Sequence, residues 1–285
     1  MNHWDKAFHT LVDAALAEDI GDGDHSTLGC IPADSKGKAI LKIKEPCIIA
    51  GITVAKKIVE KVEPTAGFVF FAADGEQKQV GDIAFELSAS IHTILKTERL
   101  VLNCMQRMSG IASLTAQYVS AIAGTKTKLL DTRKTTPNFR LLEKEAVRIG
   151  GGYNHRFGLY DMIMLKDNHI DYCGGLEAAI HKAYAYTSSL PNPLAIEVET
   201  RTVEDVKKVC DIGEGKVFRI MLDNFDIPSI KEALTIIHGR FETEASGGIR
   251  LDNIADYAAT GVDYISAGGI IHQAKSVDLS LKAEL

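Results

Sequence analysis

Six short runs in the second half of the chain, KLLDTR, MIMLKDN, LAIEVET, RIMLDN, FETEASGG and DYISAGG, leave it few folds to choose from. Each has the length of a strand, most are rich in Leu, Ile and Met, and the intervals between them are long enough to hold helices. Repeated strand–helix alternation predicts a parallel α/β barrel. The runs also end alike, on polar, charged or glycine residues: Asp131 with Arg133 and Lys134, Lys166 with Asp167, Glu197 with Glu199, Asp223 with Asn224, Ser246 with Gly247 and Gly248, and Ser266 with Gly268. Active sites of α/β barrels lie at the carboxyl ends of the strands, so these endings are expected to converge on one mouth. One charged strand end says only that a strand meets solvent. Six in register point to a site. Only six such strands can be counted, so an ideal eightfold barrel is not demonstrated.

The first half has another texture. Phe8, Leu11, Val12, Ala15 and Leu16 recur on one helical face, and Gly21 stands where such a helix stops. GDGDHST, residues 21–27, reads as an acidic loop. Strand-like segments follow over residues 38–51 and 68–95, the second broken at Gly75 and Gly81. A long helix is expected to begin near Thr97, since Leu100, Cys104, Met108, Ile111, Thr115, Tyr118 and Ile122 keep steps of three and four. It links the two halves.

With 285 residues, of which 46% are hydrophobic, the chain can fill both cores. Its formal net charge of −6, with no Lys/Arg run, argues against nucleic acid or an anionic membrane as partner. No apolar run approaches the roughly 20 residues needed to span a bilayer, and the N-terminal stretch lacks the pattern of a targeting signal. The five cysteines are scattered without CxxC spacing, which suits a reducing cytoplasm and suggests neither a disulfide framework nor a structural zinc site.

Against that acidic background, Arg133, Lys134, His155, Arg156 and Lys166 crowd two strand ends and the loop GGGYNHR. Arginine grips carboxylate or phosphate with paired N–H donors and lysine acts as a point charge, so a substrate carrying several anionic groups is expected. A lone His155 is more often a hydrogen-bonded histidine than a catalyst. Arg140, Lys144 and Arg148 read as solvated positions of an intervening helix. Ser246-Gly247-Gly248 and, one strand later, Gly268-Gly269 have the form of a barrel phosphate site, where glycine lets backbone N–H groups approach oxygens. Glu199 and Asp223 would then hold ribose hydroxyls or a Mg²⁺ ion bridging to pyrophosphate, or simply pair with a neighbouring Lys or Arg.

The stretch LLDTRKTTPNFRLLEKEAVRIGGGYNHRFGLYDMIMLKDNHI closely resembles the signature region of quinolinate phosphoribosyltransferase, also called carboxylating nicotinate-nucleotide pyrophosphorylase. The similarity continues in family order through ALAEDIGDGDHST, ERLVLNCMQRMSGIAS, AIEVET, IMLDN, EASGGI and GVDYISAGG. It implies an N-terminal α/β sandwich over residues 1–112, joined by the C-terminal tail 272–285, beside a six- or seven-stranded incomplete α/β barrel over 113–271. A cytoplasmic homodimer is implied, in which the sandwich of one subunit closes the barrel mouth of the other. The family reaction joins quinolinate to phosphoribosyl pyrophosphate with Mg²⁺ and loss of CO₂, giving nicotinate mononucleotide for NAD synthesis. Carried over residue by residue, the quinolinate-binding cations fall on Arg133, His155, Arg156 and Lys166, with Arg99 from the partner subunit. The phosphoribosyl and metal contacts fall on Lys134, Glu199, Asp223, Ser246, Gly247, Gly248, Gly268 and His272, and the catalytic group comprises Lys134, Lys166, Glu199 and Asp223. Two positions depart from the family: Asn138-Phe139 stands where Gly-Leu is usual, and Gln273 where a small hydroxyl residue is common. The rival readings are a molybdenum-transport-associated relative, a barrel lyase forming a Schiff base on Lys166, and a sensor that binds a pyridine or phosphoribosyl ligand without turnover.

Overall fold

A computed structural model describes residues 3–284 and divides the chain into two compact units. The first comprises Met1–Ala116, Thr135–Gly151 and Ile270–Leu285; the second comprises Gln117–Lys134 and Gly152–Gly269. The expected domains 1–112 and 113–271 differ from this division chiefly at residues 135–151, which group with the N-terminal unit.

In the first unit, helix α1 (His3–Ile20) ends directly before Gly21, and the expected acidic loop gives way to a short helix, α2 (His25–Cys30). The Asp24 carboxylate caps α2 by accepting the Thr27 N–H. Strand β1 (Lys36–Ile43) alternates, with Ala39, Leu41 and Ile43 buried. It is followed by β2 (Cys47–Ile48) and α3 (Ile52–Val62), then β3 (Gly67–Phe70), β4 (Gln77–Lys78) and β5 (Ile83–Ser90). Asp74 caps α3 by accepting the N–H groups of Gly51 and Ile52 at 2.6 and 2.8 Å.

The long helix α4 (Ile91–Ala121) starts six residues before the expected Thr97. The β-branched run Ile91, Thr93 and Ile94 reads as strand, but its start is set by a residue distant in sequence. Glu63 accepts the Ser90 N–H at 2.9 Å and pairs with Lys36 at 2.8 Å. The tail returns to this unit: strand β12 (Leu279–Glu284) pairs antiparallel with β1, completing a sheet of order β12-β1-β5-β3. Gly110 allows that return, because a Cβ there would stand 1.9 Å from the Lys275 carbonyl oxygen.

The second unit is built on one parallel sheet. Its strands are β6 (Lys128–Leu130), β7 (Ile163–Leu165), β8 (Ile196–Thr200), β9 (Arg219–Asp223), β10 (Glu242–Ser246) and β11 (Tyr264–Ser266), in the order β6-β11-β10-β9-β8-β7. Between them run α5 (Arg140–Ile149, in the first unit), α6 (Asp167–Cys173), α7 (Leu176–Ser188), α8 (Val203–Ile212), α9 (Ile227–Ile237) and α10 (Ile254–Ala258), and α11 (Gly269–His272) follows β11. Tyr153 adds one parallel bridge to Leu130 at the free edge of β6. Among the described residues no ladder joins Tyr153 to β7, so the barrel has a seam there. Arg156 spans it, donating from Nη1 to the Met162 carbonyl at 3.0 Å.

Lys144 departs from the solvated role expected of it: it is 1% exposed, and its neighbour Glu143 is fully buried. Glu143 accepts from Arg107 Nε at 3.0 Å and from the Thr136 N–H at 2.8 Å, while Arg107 also donates to the carbonyls of Ile271 and Ala274. One ion pair therefore ties the loop after Lys134 to α4 and to the start of the tail. On that loop Asn138 has φ 63°, the left-handed region that glycine enters freely and asparagine enters more readily than most residues. Asn138 therefore stands in a backbone conformation that would also suit the glycine expected there from the resemblance.

Lys36, the Ser90 N–H and Thr93, in that order, hold the Glu63 carboxyl at about 2, below its ordinary 4.5. A depressed folded-state pKa means the stabilisation is complete above pH 4.5 and fades as pH falls toward 2. Glu63→Gln is expected to lower Tm most near neutral pH. The gap between wild type and variant should close progressively below pH 4.5 in thermal melts; a gap independent of pH would contradict the assignment.

Candidate active site

In a strand, alternate residues share one face, so Glu197 with Glu199, Arg219 with Met221 and Asp223, and Glu242 with Glu244 and Ser246 form inward-facing rows. The register sets Glu197 beside Arg219, and Ser246 beside Asp223. At the carboxyl ends these rows border a cleft of about 680 Å³ lying wholly within the barrel unit. Its walls bring together Arg133, Lys134, His155, Arg156, Lys166, Glu199, Asp223, Ser246, Gly247 and Gly248 from the sequence reading. Gly268 and His272 are not among the lining residues, and Arg99 lies on an exposed position of α4 in the other unit.

The cleft has a basic and an acidic pole. Burial, and then the nearby Arg133 charge, lowers the Arg156 pKa, so two guanidinium groups crowd one side. On the other side burial, and then the Glu199 charge, raises the Asp223 carboxyl, with Lys166 opposing. Lys166 stands at the acidic pole, its Nζ 2.9 Å from Glu199 Oε2. An anion completes the first pole and a cation the second.

The phosphate-like turn is tightly specified. Gly247 and Gly248 have φ of 92° and 64°, and a Cβ on Gly247 would lie 2.2 Å from Asn224 Oδ1. Asn224, itself at φ 57°, donates from Nδ2 to Asp223 Oδ2 at 2.6 Å. The glycine turn and the acidic pole are thus one packed unit. Asp167, which opens α6, is tied to the Arg201 guanidinium.

Beneath the cleft lies a polar layer that the strand-end reading reached only in part. His155 is 8% exposed, and its Nε2 is 3.0 Å from Glu197 Oε2 and 3.3 Å from Glu244 Oε2, both carboxylates being fully buried. Arg219 Nη1 donates to Glu244 at 3.0 Å. Burial disfavours charge on the ring, whereas the Glu197 and Glu244 carboxylates beside it favour it. Nδ1 accepts the Arg156 backbone N–H at 2.7 Å and so keeps its lone pair, leaving the ring hydrogen on Nε2. Burial and then the Glu244 charge raise the Glu197 carboxyl, whereas Glu244, against its burial, is held down by bonds from His155 and Ser266. The period-two acidic pattern EVE and ETE was the available signal for this layer; Arg219 offered none, being one arginine at the start of an apolar run.

A family model for the quinolinate phosphoribosyl transferase N-terminal domain matches residues 24–109, and one for its C-terminal domain matches residues 111–282. The chain belongs to the quinolinate phosphoribosyl transferase family. Among curated relatives, the chloroplastic carboxylating nicotinate-nucleotide pyrophosphorylase of Arabidopsis thaliana is 41% identical over 96% of this chain and 82% of its own length. A probable nicotinate-nucleotide pyrophosphorylase of Synechocystis is 40% identical over 94% and 89%. Among solved structures, NadC from Streptococcus pyogenes superposes with a TM-score of 0.89 at 41% identity, covering 95% of this chain and 94% of that one. The nicotinate-nucleotide pyrophosphorylase of Francisella tularensis gives 0.89 at 36% identity, covering 98% and 96%. The quinolinate phosphoribosyl transferase fold therefore extends over both units.

Gly247→Ala combines left-handed backbone with a clash against Asn224, whereas an added Cβ on Gly248 meets nothing within 4 Å. Strain alone is worth about 1–3 kcal/mol at either position. Gly247→Ala is expected to melt at lower temperature than Gly248→Ala in thermal unfolding. Equal losses would remove the steric link between the turn and the acidic pole.

Proposed function

We infer that this protein transfers the phosphoribosyl group of phosphoribosyl pyrophosphate to quinolinate with decarboxylation, giving nicotinate mononucleotide, pyrophosphate and CO₂. It is a pentosyltransferase of NAD biosynthesis. The observation that carries this reading is the cleft itself: Arg133, Arg156, Lys134 and Lys166 share one pocket with the Gly247-Gly248 turn and the Glu199–Asp223 pair. A dicarboxylate meets the two arginines, and a phosphorylated sugar meets the glycine turn and the carboxylates.

Displacement of pyrophosphate from the anomeric carbon builds positive charge on the ribose and negative charge on the leaving group. Glu199 and Asp223 lie on the acidic wall to steady the first, and Lys134 is exposed at the mouth to meet the second. Arg133, Arg156 and Lys166 are assigned to the quinolinate carboxylates, with Arg99 supplied by the partner of a homodimer. The phosphoribosyl site is assigned to Ser246, Gly247, Gly248, Gly268 and His272, with Lys166 between the two substrates. Glu199 and Asp223 also fit Mg²⁺, since paired carboxylate oxygens at a site that raises Asp223 are the donors a hard cation prefers. When bound, Mg²⁺ supplies charge neutralisation of the pyrophosphate. After transfer the ribosylated pyridine nitrogen is cationic, so electrons left by departing CO₂ rest beside it; Lys166 is placed to deliver the closing proton.

A Schiff-base lyase and a molybdenum-transport-associated protein are not favoured. Both family domains are present, and Lys166 pairs with Glu199 at 2.9 Å. The cytoplasm is our reading of location, on the strength of five free cysteines. No helix among the described residues is long and apolar enough to cross a membrane.

Purified protein given quinolinate, phosphoribosyl pyrophosphate and Mg²⁺ is expected to release pyrophosphate and CO₂ in equal amounts. Turnover of nicotinate in place of quinolinate, or no turnover, would overturn the reading. For the shared site, Arg99→Ala and Lys166→Ala are each expected to be inactive alone and to recover activity when mixed and reassembled; no recovery would show a site complete within one chain.

A further inference from the structure

The layer at the floor of the cleft has no part in the transfer as described so far, yet His155 and Glu244 both line the site. Glu197 on β8 and Glu244 on β10 stand on strands separated by β9, and both turn a carboxylate toward His155 Nε2, at 3.0 and 3.3 Å. Arg219 donates to the same Glu244 Oε2 at 3.0 Å, and Ser266 bonds Glu244 as well. On the other edge of the ring, Nδ1 accepts the Arg156 N–H, and the His155 N–H is itself accepted by Asp131 at 2.9 Å. A flipped ring would set carbon against both the carboxylates and the Arg156 N–H, leaving buried polar groups unpaired at real cost. The ring therefore has one favourable orientation. Its neighbour along the chain is Arg156, whose guanidinium faces the cleft while donating to Met162 across the seam.

We propose that Glu197 and Glu244 are positioning residues: they hold the His155 imidazole so that Nδ1 takes the Arg156 N–H, and thereby fix where the Arg156 guanidinium stands for a substrate carboxylate. His155 acts through Arg156 rather than by donating to the substrate. This rests on the reading of the cleft as a dicarboxylate site. In outer-shell networks of this kind, what one ring nitrogen bonds decides what the other can do.

The test is a set of variants assayed for both substrates. Glu197→Leu and Glu244→Leu are expected to raise KM for quinolinate by roughly ten- to a hundredfold, the scale of a lost hydrogen bond to a charged group, with little change in KM for phosphoribosyl pyrophosphate. Glu197→Gln and Glu244→Gln, which keep an acceptor oxygen, should recover most of that loss. His155→Asn places an oxygen near the Nδ1 position and should retain more quinolinate affinity than His155→Gln, which places its amide near Nε2. Nitrogen NMR of histidine-labelled wild type, without substrate, should show His155 as the neutral Nε2–H tautomer.

A folded Leu variant with unchanged KM for quinolinate, KM values rising together for both substrates, His155→Gln outperforming His155→Asn, or an imidazolium signal at neutral pH would each overturn the proposal. If the Leu variants do not fold, the His155 pair and the NMR measurement decide it. An inactive wild type would count against the transferase reading, whereas the NMR result reports on the ring whatever the substrate proves to be.

Discussion

Charge buried inside a parallel barrel is expensive unless every group finds a partner, and much of this site is arranged around that cost. Glu197, Glu244, His155 and Arg219 occupy inward positions where most barrels place branched apolar side chains. None is tolerable alone. Together they form a chain of contacts from Arg219 through Glu244 to His155 and on to the Arg156 backbone. The cleft above is the opposite case: Arg133 and Arg156 crowd each other, as do Glu199 and Asp223. The lower layer forms a buried floor on which the charged walls of the cleft stand.

The barrel strands and their polar endings were legible because they rest on local periodicity, and the family resemblance extended that reading to both domains. What stayed hidden was settled by partners distant in sequence. The start of α4 depends on Glu63, a cap set by tertiary contact rather than by the residues Ile91–Thr97. Lys144 sits on a helix whose polar composition reads as solvated, yet it is buried beside Glu143. No pattern within α5 separates it from Arg148, which is exposed and pairs with Glu145. The grouping of residues 135–151 with the N-terminal unit, within which Glu143 pairs with Arg107, could not be read from the strand–helix rhythm.

Asn138 shows the opposite relation. From sequence it is a departure from the family; from the backbone it is a conservative exchange, because its φ of 63° suits the glycine it replaces. Gly247 has no such freedom, since its missing side chain is filled by Asn224. Two glycine-like positions with similar dihedrals therefore differ in what evolution can place there, and the difference is steric rather than conformational.

The seam between Tyr153 and β7 makes Arg156 a structural member as well as part of the cleft wall. Where other neighbouring strands share backbone ladders, this edge of the barrel is crossed by a guanidinium that donates to the Met162 carbonyl. Occupancy of the cleft and stiffness of that edge are thereby thermodynamically linked through one side chain. Any replacement of Arg156 removes a cation from the cleft wall and a barrel staple in the same stroke, and the activity it loses measures the sum of the two.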